Sequence, residues 1–168
     1  IILSNFWGAL QDEQCYFCWR TIKSQVRIMG SISNHTRFHG ILSGYPSVKV
    51  LDKTAATDIL NRVMSKYGIS DLHYYWSGDK ALLKSYIRVR PNDLPVYYET
   101  KLPQMFSGNV HIIIDCCEGR FIVCQSNLNW LIELLKAEYF DLIEIYLLNE
   151  FFDICLCVNH VCEVFEFV

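Results

Sequence analysis

The chain has 168 residues, of which 52% are hydrophobic and 20% charged, and its formal net charge is −3. This length is typical of one domain, and so large an apolar fraction excludes a disordered chain. A membrane span is not expected, because the longest uncharged run of the apolar C-terminal region covers only residues 154–162, far fewer than the ~20 that a bilayer requires. Nothing at the start of the chain resembles a signal peptide. We therefore expect one cytoplasmic domain over residues 1–168.

The first half of the chain has weak structural signals. Its clearest segment is a helix, because Asp52 or Thr54 can cap the start and Gly68 can end it. In chain order, the predicted elements are helical or mixed segments at 1–10 and 15–29, a glycine- and serine-rich loop at 30–47, a strand at 48–51, the helix up to residue 67, a strand at 72–76 and a segment at 81–89 that is ambiguous between helix and strand.

The second half, residues 91–168, has sharper patterns and is the better-defined half. Its predicted elements are an irregular proline-punctuated segment at 91–103, two hairpin strands at 110–115 and 120–125, a helix at 128–139 and three strands at 143–148, 152–158 and 161–167. Asn149-Glu150 and Asn159-His160 separate the last strands as two-residue turns typical of tight hairpins. Together the elements predict an α+β fold, with a mainly antiparallel sheet and helices packed on one face.

The two halves of the chain carry opposite net charges. Residues 1–90 contain 12 lysines and arginines against 6 acidic residues, a balance of +6, whereas residues 91–168 contain 3 against 12, a balance of −9. The halves either pair their charges internally, or form an ordinary solvated surface, or present an acidic face suited to a basic partner. Under the third hypothesis the predicted partner-binding residues are Glu133, Glu144, Glu150, Asp153 and Glu163, whereas Lys49, Lys53 and Arg62 are expected to matter less.

The eight cysteines do not indicate a disulfide scaffold, because five of them lie in apolar, strand-like runs and the chain has a large core. We therefore predict free thiols. Cys15 and Cys18 have the spacing of a redox pair or of half a zinc site, but no second close pair outside the predicted sheet completes a tetrahedral set. The sequence predicts no cofactor, no metal ligand and folding without zinc.

His35 and His39 are four residues apart, a spacing that would direct both imidazoles at one metal ion if they stood on a helix. Their serine-, glycine- and asparagine-rich surroundings instead predict surface or loop histidines. No phosphate-binding loop or nucleophile elbow is present, so no catalytic residue is predicted. Nucleic acid is not an expected ligand, because the acidic second half would repel phosphate.

The C-terminal 40 residues contain a series of aromatic, acidic and apolar motifs: Tyr139-Phe140-Asp141, Ile143-Glu144-Ile145-Tyr146, Phe151-Phe152-Asp153-Ile154 and Asn159-His160. This series resembles the ending of small cytosolic bacterial proteins linked to polymorphic toxins, with a looser match at the predicted hairpin. The usual ending has a tryptophan after the aromatic-aspartate pair, where this chain has Ile154 and Cys155. Proteins of this kind serve as immunity proteins in contact-dependent growth inhibition and similar systems.

The resemblance implies an immunity protein that is not an enzyme and that blocks the active-site surface of one cognate toxin. Many such toxins act on nucleic acids through a basic face, which an acidic partner can occupy. Two alternatives remain open: a small cytosolic enzyme with a carboxylate- or thiol-based site, and an adaptor in a larger assembly. A pocket lined by two converging acids, or by a thiol and a histidine, would favour the enzyme. The oligomeric state is not predicted.

Overall fold

A computed structural model describes residues 33–69, 72, 83–116, 120–138, 144–159 and 163–167. The helices in these ranges are α1 (Asn34–Ser43), α2 (Lys53–Tyr67), α3 (Leu94–Met105) and α4 (Leu128–Glu138). The strands are β1 (Val48–Val50), β2 (Leu83–Arg88), β3 (Asn109–Asp115), β4 (Phe121–Asn127), β5 (Glu144–Asn149), β6 (Cys155–Asn159) and β7 (Glu163–Phe167). None of the four helices is both long and apolar enough to cross a lipid bilayer.

The seven strands form one sheet in the order β1-β4-β3-β5-β6-β7-β2. Each neighbouring pair is antiparallel. The predicted hairpin forms β3 and β4, with Ile113 opposite Val123, and the ambiguous segment at 81–89 forms the edge strand β2. The α+β fold with an antiparallel sheet is therefore confirmed.

Helices cover both faces of this sheet rather than one. Side chains of α1, α3 and α4 pack on the face that contains Ile112 and Ile114, whereas α2 packs on the opposite face with Ile113. All three isoleucines are fully buried. A strand that is apolar on both faces needs a cover on each side, so the helices are divided between the two faces.

The predicted caps of α2 are confirmed. The Asp52 side chain accepts a hydrogen bond from the backbone N–H of Ala55 at 2.9 Å, and Gly68 ends the helix in the left-handed region with φ 64°. The Gly68 N–H donates to the Met64 carbonyl. Both groups satisfy backbone atoms that a helix end otherwise leaves without intrahelical partners.

Two helices lie where the sequence predicted irregular chain. The loop predicted at 30–47 contains α1, whose Phe38 and Leu42 are each 1% exposed and anchor it to the core. Packing of these two side chains outweighs the low helix propensity of the segment. The irregular segment predicted at 91–103 overlaps α3 (Leu94–Met105), whose Pro95 stands in the first turn, where a missing backbone N–H has no cost.

The strand predicted at 152–158 begins three residues later, at Cys155, and the predicted two-residue turn is a longer loop. The described cysteines are free and buried, in agreement with the prediction of free thiols: Cys116, Cys124, Cys155 and Cys157. Several predictions lie outside the described residues, among them the segments at 1–10 and 15–29, most of the strand at 72–76, the Cys15/Cys18 pair and His160.

Candidate protein-binding site

One large apolar side chain projects far into solvent at the end of β5. Phe151 is 78% exposed, more than any other large hydrophobic side chain of the described residues. It lies in the segment between β5 and β6, residues 149–154, which we call the β5–β6 loop. Exposed aromatic side chains on a rigid support are typical anchors of protein interfaces, so the rigidity of this loop decides what Phe151 can do.

Asn149 organises the β5–β6 loop from within. Its side-chain oxygen accepts hydrogen bonds from the backbone N–H groups of Asp153 at 3.0 Å and Ile154 at 3.3 Å. Its amide nitrogen donates to the Asp153 carboxylate, and its backbone carbonyl accepts from the Phe152 N–H at 3.1 Å. One asparagine thus satisfies three backbone N–H groups and fixes the path of the loop.

Phe152 holds the loop against the body of the protein. Its φ of 60° is the single positive value among the described non-glycine residues, a conformation that costs about 1–2 kcal/mol for a side chain with a Cβ. The ring, 3% exposed, lies between the His111 imidazole, at a centroid distance of 5.2 Å, and the Arg62 guanidinium, 4.3 Å from the ring centroid. The Tyr67 hydroxyl donates to the Phe152 carbonyl at 3.0 Å. These contacts offset the backbone strain.

An open groove of about 400 Å³ lies between α2 and the β5–β6 loop. Hydrogen-bond donors on one side of α2 and the two phenylalanines line it: Asn61, Arg62, Ser65, Lys66, Phe151 and Phe152. Glu150 and Asp153 are exposed on the same loop. The site therefore combines an apolar anchor with carboxylates on the loop and cations on the neighbouring helix.

The structure does not bring the five predicted acidic residues together. Glu150 and Asp153 lie on the β5–β6 loop, whereas Glu144 and Glu163 lie at the opposite end of the sheet, about 17 Å away along β5. Glu133 is exposed on α4, on the face of the sheet opposite to α2, and its carboxylate lies 3.6 Å from Lys136 Nζ. Two of the five residues thus share a surface with Phe151.

Glu144 was predicted to contact the partner, but the structure shows that it is buried. It is 1% exposed and pairs in register with Asp115 on β3, which is 2% exposed, and with Asn159 on β6, which is 4% exposed. Glu163 joins this end of the sheet through its carboxylate, which accepts from the Asn159 side chain at 2.9 Å. A side chain so deeply buried cannot meet a partner surface.

Burial also sets the chemistry of the described thiols. It raises the pKa of Cys124 and of Cys155 to about 12, and it raises the pKa of Cys157 well above its ordinary value. A thiol nucleophile needs the opposite shift, because the thiolate is the reactive form. These cysteines act as small apolar core residues.

His111 makes stability depend on pH at this site. Burial lowers the pKa of His111 below its ordinary value; nearby Glu150 opposes this shift and Arg62 reinforces it. The unfolded chain then binds a proton more readily than the native protein, so the free energy of unfolding falls as the pH drops below about 6.5.

We expect the variant His111→Phe, which keeps an aromatic ring against Phe152, to lose less stability than wild type between about pH 7.5 and pH 5.5. Urea denaturation of both proteins at the two pH values measures the difference. Equal losses of unfolding free energy would show that His111 does not contribute.

Of the predicted partner-binding residues, Glu150 and Asp153 lie at this site, but sequence reasoning missed the side chains that build the site around them. Phe151 and Phe152 were assigned to or beside a strand, and Arg62 was predicted to matter less than the acidic residues. Arg62 contacts the Phe152 ring of the loop directly, and its weight in binding stays a prediction. The one available signal was Asn149, since asparagine side chains commonly hydrogen-bond the backbone of the loop that they begin.

No protein-family model, curated protein or solved structure matches this chain. Its function is therefore inferred from the geometry of its own residues.

Proposed function

We propose that the chain is a cytoplasmic immunity protein that neutralises one cognate antibacterial toxin by covering a surface of it, without chemistry of its own. The observation that carries the proposal is Phe151, a 78% exposed aromatic side chain on a loop whose backbone is fixed. A rigid anchor loses little conformational entropy on binding, which is the property that inhibitory interfaces exploit. The C-terminal resemblance to immunity proteins supports the same role.

The charges around Phe151 define the chemistry of the partner. Glu150 and Asp153 favour a cationic patch, as expected of a toxin that acts on nucleic acid. Arg62 and Lys66, across the groove, favour a carboxylate at a second position of the same partner. The complementary toxin surface therefore has an apolar recess for Phe151, with a basic group on one side and an acidic group on the other.

Co-expression with the product of the gene immediately upstream tests the proposal. We expect the two proteins to purify as a stoichiometric complex, and we expect the toxic activity of the partner to be absent from the complex. A matched variant, Val96→Ala, alters a side chain that is 58% exposed on α3, on the other face of the sheet, and should leave the complex intact. A partner that stays active when saturated by this protein would contradict the proposal.

Reversing or removing the negative charges of the β5–β6 loop should slow association with the toxin. We expect Glu150→Lys and Asp153→Asn to lower the association rate constant, because charges at an interface rim steer the encounter. Asp153→Asn keeps an acceptor for the Asn149 amide, so the loop stays intact. Raising the salt concentration from about 0.05 to 0.5 M should slow wild-type association as well, since the Debye length shrinks below ~10 Å.

Stopped-flow or biosensor kinetics with the purified toxin domain measure these rates. The control variant is Glu133→Lys, an exposed carboxylate on α4 far from the loop, whose reversal should leave the rate nearly unchanged. Lys49 and Lys53 remain suitable basic controls, whereas Arg62 is not, because it contacts Phe152. If Glu133→Lys slowed association more than Glu150→Lys, the interface would lie on the α4 side.

A further inference from the structure

We propose that His35 and His39 on α1 form a two-histidine site for a divalent transition-metal ion. The spacing of four residues has chemical meaning only on a helix, where residues i and i+4 project from the same side one turn apart. The structure places both histidines within α1 (Asn34–Ser43). The sequence predicted a loop for this segment, and the helix supplies the geometry that the loop lacked.

The two imidazole rings are neighbours on α1. Their centroids are 6.3 Å apart, and their planes are inclined by only 30°. Two metal–nitrogen bonds of about 2.0–2.1 Å in tetrahedral geometry require the centroids to approach by about 1 Å. A small rotation of the side chains achieves this approach, because His39 is exposed and His35 is half-buried at the edge of the helix.

Imidazole nitrogen selects the class of metal. It suits Cu²⁺, Ni²⁺ and Zn²⁺ and is a poor ligand for Mg²⁺ or Ca²⁺, which prefer oxygen. Among the described residues no group of three or more histidine, cysteine or acidic side chains is arranged to hold a metal ion. The two histidines would leave further coordination positions for water or other ligands, as in metal sites that keep open positions.

The fold does not depend on a metal ion at this site. Phe38 and Leu42 hold α1 in the core, each at 1% exposure, and the histidines border this buried stripe. Because only two protein ligands would hold the ion and His39 is exposed, the metal should exchange readily. This differs from a structural zinc site, whose removal unfolds the domain.

Calorimetric titration of the full chain with Ni²⁺ tests the site, since Ni²⁺ binds imidazole well and thiols add less background than with Zn²⁺. We expect one Ni²⁺ ion per chain at this site. The variants His35→Gln and His39→Gln should each weaken the binding about tenfold or more, because each leaves a single imidazole and removes the gain from two linked ligands.

A variant with the same number of histidines provides the control. His39→Ala combined with Gly40→His changes the spacing from four residues to five and turns the second imidazole away from the first. A side chain fits at position 40, because an added Cβ there meets no atom within 4 Å. We expect this variant to bind Ni²⁺ as weakly as the single replacements. Wild-type affinity in all three variants, or no Ni²⁺ binding by wild type at millimolar metal, would overturn the proposal.

Discussion

Replacing Phe151 with alanine is expected to weaken toxin binding by about 2 kcal/mol or more, roughly a thirtyfold rise in Kd. The ring is an exposed apolar group that a partner pocket can desolvate completely, and the fixed loop presents it without an ordering cost. Because the side chain is 78% exposed in the free protein, its removal should change the free energy of unfolding by less than about 0.5 kcal/mol. Titration calorimetry with the toxin domain and urea denaturation measure the two quantities.

Two matched variants test whether Phe151 is a specific anchor or whether any exposed apolar side chain contributes equally to binding. Val96→Ala and Trp130→Ala remove apolar groups that are 58% and 40% exposed on α3 and α4. Both should bind the toxin as wild type does. If Phe151→Ala bound with unchanged affinity while either control lost affinity, the binding surface would lie on the helices of the opposite face.

Replacing Phe152 with alanine, unlike replacing Phe151, should lower the free energy of unfolding strongly, by about 3–5 kcal/mol. The ring is 3% exposed and fills the space between His111 and Arg62. A small side chain leaves a cavity there, and the imidazole and the guanidinium lose their common packing partner. Chemical denaturation with urea measures this loss.

The backbone of Phe152 allows a sharper comparison. Glycine usually destabilises a protein relative to alanine, but at a φ of 60° alanine is strained and glycine is not. We therefore expect Phe152→Gly to be at least as stable as Phe152→Ala, a reversal of the ordinary order. A Phe152→Gly variant clearly less stable than Phe152→Ala would show that the left-handed conformation carries no strain.

Some helices and strands were predicted correctly and others were not, because their apolar patterns differ in length and regularity. The β3–β4 hairpin and α4 were predicted because their apolar periodicity extends over whole elements. The apolar pattern is short in α1, and in α3 it is interrupted by other residues. Phe38 and Leu42 are the two buried positions of α1. Leu94, Tyr98 and Leu102 form a regular stripe in α3, but two prolines within the helix obscure it.

The candidate site was harder to predict than the fold because it depends on contacts between distant parts of the chain. Arg62 and His111 meet at Phe152, although 49 residues separate them along the sequence. The predicted strand at 152–158 included Phe152, because a sequence pattern does not reveal a positive φ. The charge pattern could not separate the exposed Glu150 and Asp153 from the buried Glu144.

The order of the strands in the sheet also dictates when a growing polypeptide can complete it. The edge strands β1 and β2 are made first, yet their partners are β4 and β7, and Leu83 pairs with Phe167, 84 residues further on. On the ribosome both early strands must wait until the later ones emerge from the exit tunnel, which exposes their apolar side chains to chaperones meanwhile. Such distant pairings also slow folding after release. The last strand to be synthesised is thus the one that joins β2 to the rest of the sheet.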